Sequence, residues 1–435
     1  MNKINRKEKL IGIIAISLIV VILTILITTN LIIKNNKLSN EGYFTTIANA
    51  NSNLVAGYIK KGITIGGVEG TLEVLDTSDA TAKEEDIAWG KTGYVNGIKI
   101  TGTRIDTVAQ GKEAQQEFME NKTLIDDYGN KVVVPQGFKI ASDSSTTVTG
   151  GVVIEDVLAG DENTKGSQFV WVPVGNIITD NNGTIKTVTL GRYTFDASGK
   201  EKLEQNANNC KAETAIIINY TTTLYPTYYY QELLKTTTAA NRKAKDIEDF
   251  VNKTLNSGGY YIGRYELGDS LAKDSPRIGT QDVSNPNNPI TCKSGVYPYT
   301  YINQADASEL CKGMYKSSSF DSDLINSYAW DTALVFIQTF SRDTNYSVQT
   351  PLQKTLAKCG EASDGIENDV RCNIYDMAGN TYEYSTETNT TNVNFPYVAR
   401  GGSYNDGHNT SSRPTGGMRY SNNGFSARPI LYLQM

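Results

Sequence analysis

The chain has 435 residues, a net charge of −6 and only 20% charged residues, a balance that disfavours nucleic acid, whose phosphates call for a basic face. A 39% hydrophobic fraction with 26 tyrosines excludes disorder throughout. Abundant Tyr, Thr, Asn, Ser and Gly point to a β-rich extracellular protein with polar loops.

In chain order, residues 1–9 carry Lys3, Arg6, Lys7 and Lys9 against Glu8, and an uncharged run over 10–33 follows. Roughly 20 apolar residues at about 1.5 Å each cross a hydrocarbon core of about 30 Å, so 10–33 is expected to be a transmembrane anchor. The run is too long for a signal-peptide core of about 7–15 residues. Only Lys34 and Lys37 follow it closely, so the positive-inside rule places 1–9 in the cytoplasm and the rest outside, a single-pass cell-membrane protein.

Residues 34–56 read as a stalk and 57–105 as Gly-rich β-hairpin spacer units, one over 59–71 and one over 93–103. Asn96-Gly97 between two apolar runs predicts a type I′ turn, because both residues accept positive φ. Residues 106–129 are expected to be a partly helical linker with Phe118, Leu124 and Ile125 on its apolar side. From residue 130 period-two apolar runs over 131–138, 151–154, 168–174 and 258–266 predict strands. Spacing of three to four predicts helices over 240–255, 306–314 and 324–340, and a polar insertion fills 177–256. Five cysteines at irregular spacings, Cys210, Cys292, Cys311, Cys359 and Cys372, form no CxxC; a disulfide such as Cys359 to Cys372 and plain buried thiols both remain open.

The spacer units resemble modules of phage tail proteins and Gram-positive surface proteins. Over 130–435 a longer order of motifs stands out. It runs through Val170-Trp171-Val172-Pro173, Arg264-Tyr265-Glu266, the stretch with Asp306, Ala307 and Cys311, Gly379-Asn380-Thr381-Tyr382-Glu383-Tyr384, Arg400-Gly401-Gly402-Ser403-Tyr404 and Asn423-Gly424-Phe425. This order resembles the formylglycine-generating-enzyme, or sulfatase-modifying-factor, family. The resemblance implies an α+β fold class: a C-type-lectin-like domain over 130–435 preceded by the transmembrane helix and the small hairpins. Tyr stands where the family prefers Trp, and Ser426 where it has Arg.

The family's catalytic cysteine pair would fall between Arg400 and Phe425, where this chain has none, so no catalytic residue, copper or iron is expected. What the resemblance implies instead is a structural Ca²⁺ held by the side chains of Asp376 and Glu383 and the carbonyls of Gly379 and Thr381. The alternative is that the two carboxylates bond only the loop's amides. Arg400, Gly401 and Gly402 read as structural. The Tyr/Asn/Ser/Gly/Arg-rich end nominates Tyr404, Asn405, Asp406, His408, Asn409, Arg413, Arg419, Tyr420, Asn422 and Asn423 as a recognition surface. Variable proteins of diversity-generating retroelements carry the resembled domain and vary in the corresponding segment. The expected function is a surface-displayed, non-catalytic binding protein for an extracellular protein or glycan, with the membrane as partner through 10–33 and no nucleic acid. The alternatives are an oxidoreductase of the resembled superfamily and a structural part of an envelope or pilus-like assembly.

Overall fold

The computed structural model describes residues 6–35, 54–74, 76–206, 231–232, 247–277, 289–363, 365–388, 397–416 and 423–434. The chain divides into two compact units, residues 1–83 with 92–101, and residues 84–91 with 102–435.

The first unit holds helix α1 (Arg6–Asn35) and two hairpins. One pairs Thr64–Ile65 with Val68–Glu69; the other pairs Thr92–Val95 with Ile98–Thr101. In the second, Asn96 and Gly97 sit at φ 50° and 77°, the left-handed pair that a two-residue turn demands. Thr77 anchors that turn, its carbonyl accepting from Asn96 N–H and its hydroxyl from Gly97 N–H at 2.8 Å.

Among the described residues no helix is long and apolar enough to cross a membrane, which corrects the expected anchor at 10–33 and the single-pass localisation.

Among the described residues the second unit is built on two larger sheets, with several two-stranded ladders beside them. The larger is formed by β1 (Phe138–Ile140), β2 (Val153–Asp156), β3 (Gln168–Pro173), β5 (Gly259–Gly263), β6 (Phe320–Leu324) and β11 (Pro429–Leu433). Its order is β6-β11-β5-β3-β2-β1, all antiparallel, so the last strand of the chain lies between two middle segments. The smaller sheet runs β4 (Gln231–Glu232), β7 (Tyr382–Thr388), β8 (Tyr397–Arg400), β9 (Thr415–Gly416), with β10 (Phe425–Ala427) pairing β7 in parallel.

Among the described residues four α-helices accompany them: α2 (Val108–Ala114), α3 (Ile247–Ser257), α4 (Gln304–Gly313) and α5 (Ser327–Phe340). Their starts are written in side chains. Thr107 and Gln110 close a capping box on α2, Asn303 accepts the Asp306 N–H at 2.9 Å, and Asn326 accepts the Ala329 N–H at 2.9 Å. Helix α3 lays Phe250 edge-on against Tyr260 of β5 and Tyr432 of β11, with centroids 5.4 and 5.3 Å apart. Helix α5 is buried from Ser327 to Gln338.

The described chain is therefore mostly β-sheet with few helices, which corrects the expected α+β, lectin-like fold class. Period-two apolar runs recur through the second unit, whereas a helical period is sustained in only five stretches among the described residues. The region 106–129 shows the same correction locally. Its helix stops at Ala114, and Leu124 and Ile125 belong to a strand, Lys122–Ile125, paired with Lys131–Val134.

Candidate functional site

Strand β7 organises the candidate site because its alternation sends two kinds of side chain to opposite faces. Tyr382 and Tyr384 stack on Phe425 of β10, with centroids 4.9 and 5.3 Å apart, over a second apolar cluster that includes Leu267, Tyr299 and Leu324. Glu383 and Glu387 point the other way and are fully buried.

A buried carboxylate is tolerable only when paired, and both are. Glu383 is gripped through both oxygens by Arg428, whose guanidinium also donates to the carbonyls of Gly263 and Tyr375 at 2.8 Å. Burial pushes the Glu383 carboxyl up to about 8 while Arg428 pulls against it.

Glu387 sits in a larger network. Arg400 Nη1 donates to its Oε1 at 2.5 Å, Arg413 Nε to its Oε2 at 2.8 Å, and Arg192 lies 3.7 Å from Oε2. Asp331 of α5 accepts from Arg400 Nη2 and from Arg413 Nη2, the latter at 2.6 Å, and takes the Tyr193 N–H at 2.9 Å. Burial works to raise the Glu387 carboxyl, and the three guanidiniums outweigh it and hold the group well below its ordinary range. The network ties helix α5, the ends of β7 and β8, and residue 413 into one rigid base.

On that base stands the 403–409 loop. Gly401 takes φ 74°, and a Cβ at Gly402 would meet the His408 carbonyl at 2.3 Å, so the chain folds back on itself where no side chain fits. The loop's tip is Asn405, Asp406, Gly407 and His408, all exposed. Asn405 Oδ1 accepts from Ser403 Oγ at 2.9 Å, and His408 Nδ1 lies 2.6 Å from Asp406 Oδ1 and 2.6 Å from Tyr382 Oη. Tyr404 is half-buried beside Tyr301 and Asn423, and burial raises its hydroxyl pKa.

The expected recognition residues thus separate. Tyr404, Asn405, Asp406, His408 and the exposed Asn423 share one region, while Arg413 is corrected to a base residue, its guanidinium turned inward to Glu387 and Asp331. Asn409 is half-buried and closes a turn by accepting from Ser412 Oγ at 2.8 Å. Arg419, Tyr420 and Asn422 lie outside the described residues.

Glu383, expected to bind Ca²⁺, has both oxygens taken by Arg428, and among the described residues no group of three or more His, Cys, Asp or Glu converges as a metal site. Asp376 is 1% exposed, neither oxygen makes a well-formed hydrogen bond among the described residues, and burial, then the charges of Glu266 and Asp369, raise its carboxyl well above the usual range. Glu383 is thus committed to Arg428 rather than free for the expected four-ligand Ca²⁺ set.

The described cysteines are free thiols. Cys292, Cys311 and Cys359 are fully buried, and burial raises every one of these thiols, to about 12 for Cys292 and Cys372. A thiolate nucleophile or metal ligand needs the opposite shift.

Sequence reasoning missed Asp331, Arg192, Arg428 and the role of Tyr382. The signal for Asp331 is a single acid inside the apolar helix Trp330-Asp331-Thr332-Ala333-Leu334. A lone charge on a buried face needs a partner elsewhere in the fold.

Part of the chain is similar to Serine-aspartate repeat-containing protein E of Staphylococcus aureus. The identity is 29% over 183 residues for strain MSSA476, covering 38% of this chain and 14% of that protein. For strain Mu50 it is 34% over 136 residues, covering 29% and 11%. The chain therefore spans only a small share of the curated relatives it matches. Among solved structures it is similar to CarF at 13% identity and a TM-score of 0.27, covering 40% of this chain and 87% of that one. Treponema denticola variable protein 1 follows at 13% and 0.24, covering 40% and 84%, and a Major Tropism Determinant I1 variant at 11% and 0.27, covering 76% and 98%. Likenesses this low establish no common fold. No family model matches the chain, so the motif order from Val170 to Phe425 does not make it a formylglycine-generating enzyme or a sulfatase-modifying factor.

Proposed function

We propose that this chain is a non-catalytic binding protein displayed at a cell surface, with the 403–409 loop as its recognition element for an extracellular ligand. The observation that carries the reading is an exposed polar tip, Asn405, Asp406 and His408, set on a base of fully buried ion pairs. Polar groups held by a rigid support lose little freedom on binding, which is how a small loop gains affinity. The partial similarity to the staphylococcal serine-aspartate repeat protein supports the surface setting. The test is binding of the purified chain to a glycan array and to a panel of immobilised extracellular proteins, beside the Asn405→Ala, Asp406→Ala, His408→Ala triple variant. A ligand whose affinity falls at least about tenfold in the variant, a loss of about 1.4 kcal/mol, supports the proposal. Unchanged binding by the variant, or aerobic oxidation of a cysteine peptide by the wild type, overturns it.

A further inference from the structure

The tip of the loop carries the chain's one histidine, and among the described residues its ring is held along one edge. Nδ1 faces Asp406 Oδ1 and Tyr382 Oη, each at 2.6 Å, and the Tyr382 ring stands against the imidazole at 68° with centroids 5.7 Å apart. Tyr382 is a fixed partner: it is 4% exposed, it stacks on Phe425, and its N–H donates to the Gly424 carbonyl at 2.8 Å.

Asp406 is 43% exposed. Its partial burial works to raise the carboxyl, and hydrogen bonds from Tyr382 and His408 outweigh that and keep it below its ordinary range. An ionised carboxylate only accepts hydrogen bonds, so Nδ1 must carry a proton. In the neutral ring Nε2 then keeps its lone pair. The imidazole places Nε2 on the edge away from Asp406 and Tyr382, and the side chain is 47% exposed. This is the arrangement by which a carboxylate behind a histidine fixes the tautomer and aims the second nitrogen.

We propose that His408 is a preset hydrogen-bond acceptor for a saccharide hydroxyl, locked as the Nδ1–H tautomer by Asp406 and Tyr382 with Nε2 turned to the ligand. This rests on the binding function proposed above and names the ligand class for the same loop. The saccharide is favoured by what surrounds the acceptor. Protein hot spots need aromatic or arginine anchors in a desolvated centre. Among the described residues the exposed tip offers an amide, a carboxylate and an imidazole, Arg413 is committed to the base, and the partly exposed rings beside it are those of Tyr404 and Tyr301. Hydroxyl groups both donate and accept, and they match that set. Tyr301 adds a further sign of a built surface, an aromatic residue held at φ 57° where bulky side chains are rare.

The first arm of the test needs no ligand. In a long-range proton–nitrogen correlation spectrum of the nitrogen-15-labelled full chain, recorded at a pH where the ring is uncharged, every imidazole signal belongs to His408. The expected pattern is a pyrrole-type Nδ1 and a pyridine-type Nε2, reverting toward the free-imidazole pattern in Asp406→Asn. The reverse pattern in the wild type, or no change in Asp406→Asn, overturns the lock whatever the loop binds.

The second arm is a glycan array with the wild type, His408→Phe and His408→Gln, each checked for an unchanged melting temperature. Saccharide binding that falls at least tenfold in His408→Phe and is partly retained in His408→Gln, whose amide oxygen can stand near Nε2, supports the proposal. Saccharide binding indifferent to both changes overturns the role of Nε2. A loop-dependent protein ligand with no saccharide bound overturns the ligand class while leaving the binding function standing.

Discussion

Glu387 faces three guanidiniums, those of Arg400, Arg413 and Arg192, and is inaccessible to water. Removing its charge leaves Arg400 buried beside Asp331 alone, so Glu387→Gln is expected to lower stability by about 3–5 kcal/mol in urea denaturation. Because its carboxyl is lower in the folded than in the unfolded chain, the stability it supplies is present above the ordinary glutamate range and is lost as pH falls toward the folded value. The wild type should therefore lose stability on acidification below about pH 4 more steeply than Glu387→Gln. Asp376 has the opposite sign. Its folded pKa is raised, so its contribution is complete below the ordinary aspartate range and declines as pH rises through the folded value. Asp376→Asn should flatten the melting-temperature profile between pH 5 and 8 and melt no lower than the wild type at pH 8. Excess Ca²⁺ added to the chelated wild type should leave its melting temperature within about a degree, and a rise of several degrees would restore a metal to the 376–383 loop.

Helix α3 shows what periodicity can and cannot deliver at the level of an element. Three-to-four spacing puts Ile247, Phe250, Val251 and Leu255 on one face, and the structure buries the first three while leaving Leu255 37% exposed. Thr254 and Ser257 take the inner positions instead, Ser257 Oγ donating to the Gly259 carbonyl at 2.7 Å where the helix turns into β5. Phe250→Ala should cost about 3–5 kcal/mol, since it empties a site between two tyrosine rings, whereas Leu255→Ala should cost well under about 1 kcal/mol. Paired urea titrations decide it, and equal costs would mean that α3 is rotated from this packing. A single residue also redirects the stretch 324–340. Asn326 caps α5, so Leu324 before it stays on β6 and pairs with Pro429 instead of starting the helix.

At the scale of the whole molecule, what could be read in the sequence were features set by neighbours in the chain. Asn96-Gly97 reads as a hairpin turn and the continuous apolar run Phe169-Val170-Trp171-Val172 as a two-face-buried strand, because each depends on residues a few positions apart; the caps at Thr107, Asn303 and Asn326 are equally local, though apolar spacing alone did not reveal them. The candidate loop was legible as composition, so Asn405, Asp406 and His408 could be nominated, but Arg413 could not be told apart from them. The order of short motifs suggested a family and an α+β class, yet motif order says nothing of how much of the intervening chain pairs as strand. The run at 10–33 read as a membrane span, yet among the described residues no helix is long and apolar enough to cross a membrane. Only the tertiary structure decided which charges are paired. Asp331, Glu387, Arg400 and Arg413 are brought together from four separate segments, and Arg428 reaches Glu383 across 45 positions of sequence. The physical reason is that the energy of a charge depends on its burial and on the distance to its partners in space. The sequence by itself determined the turns, caps and strand periods; the fold alone determined which side chains became the base and which were left at the tip to bind.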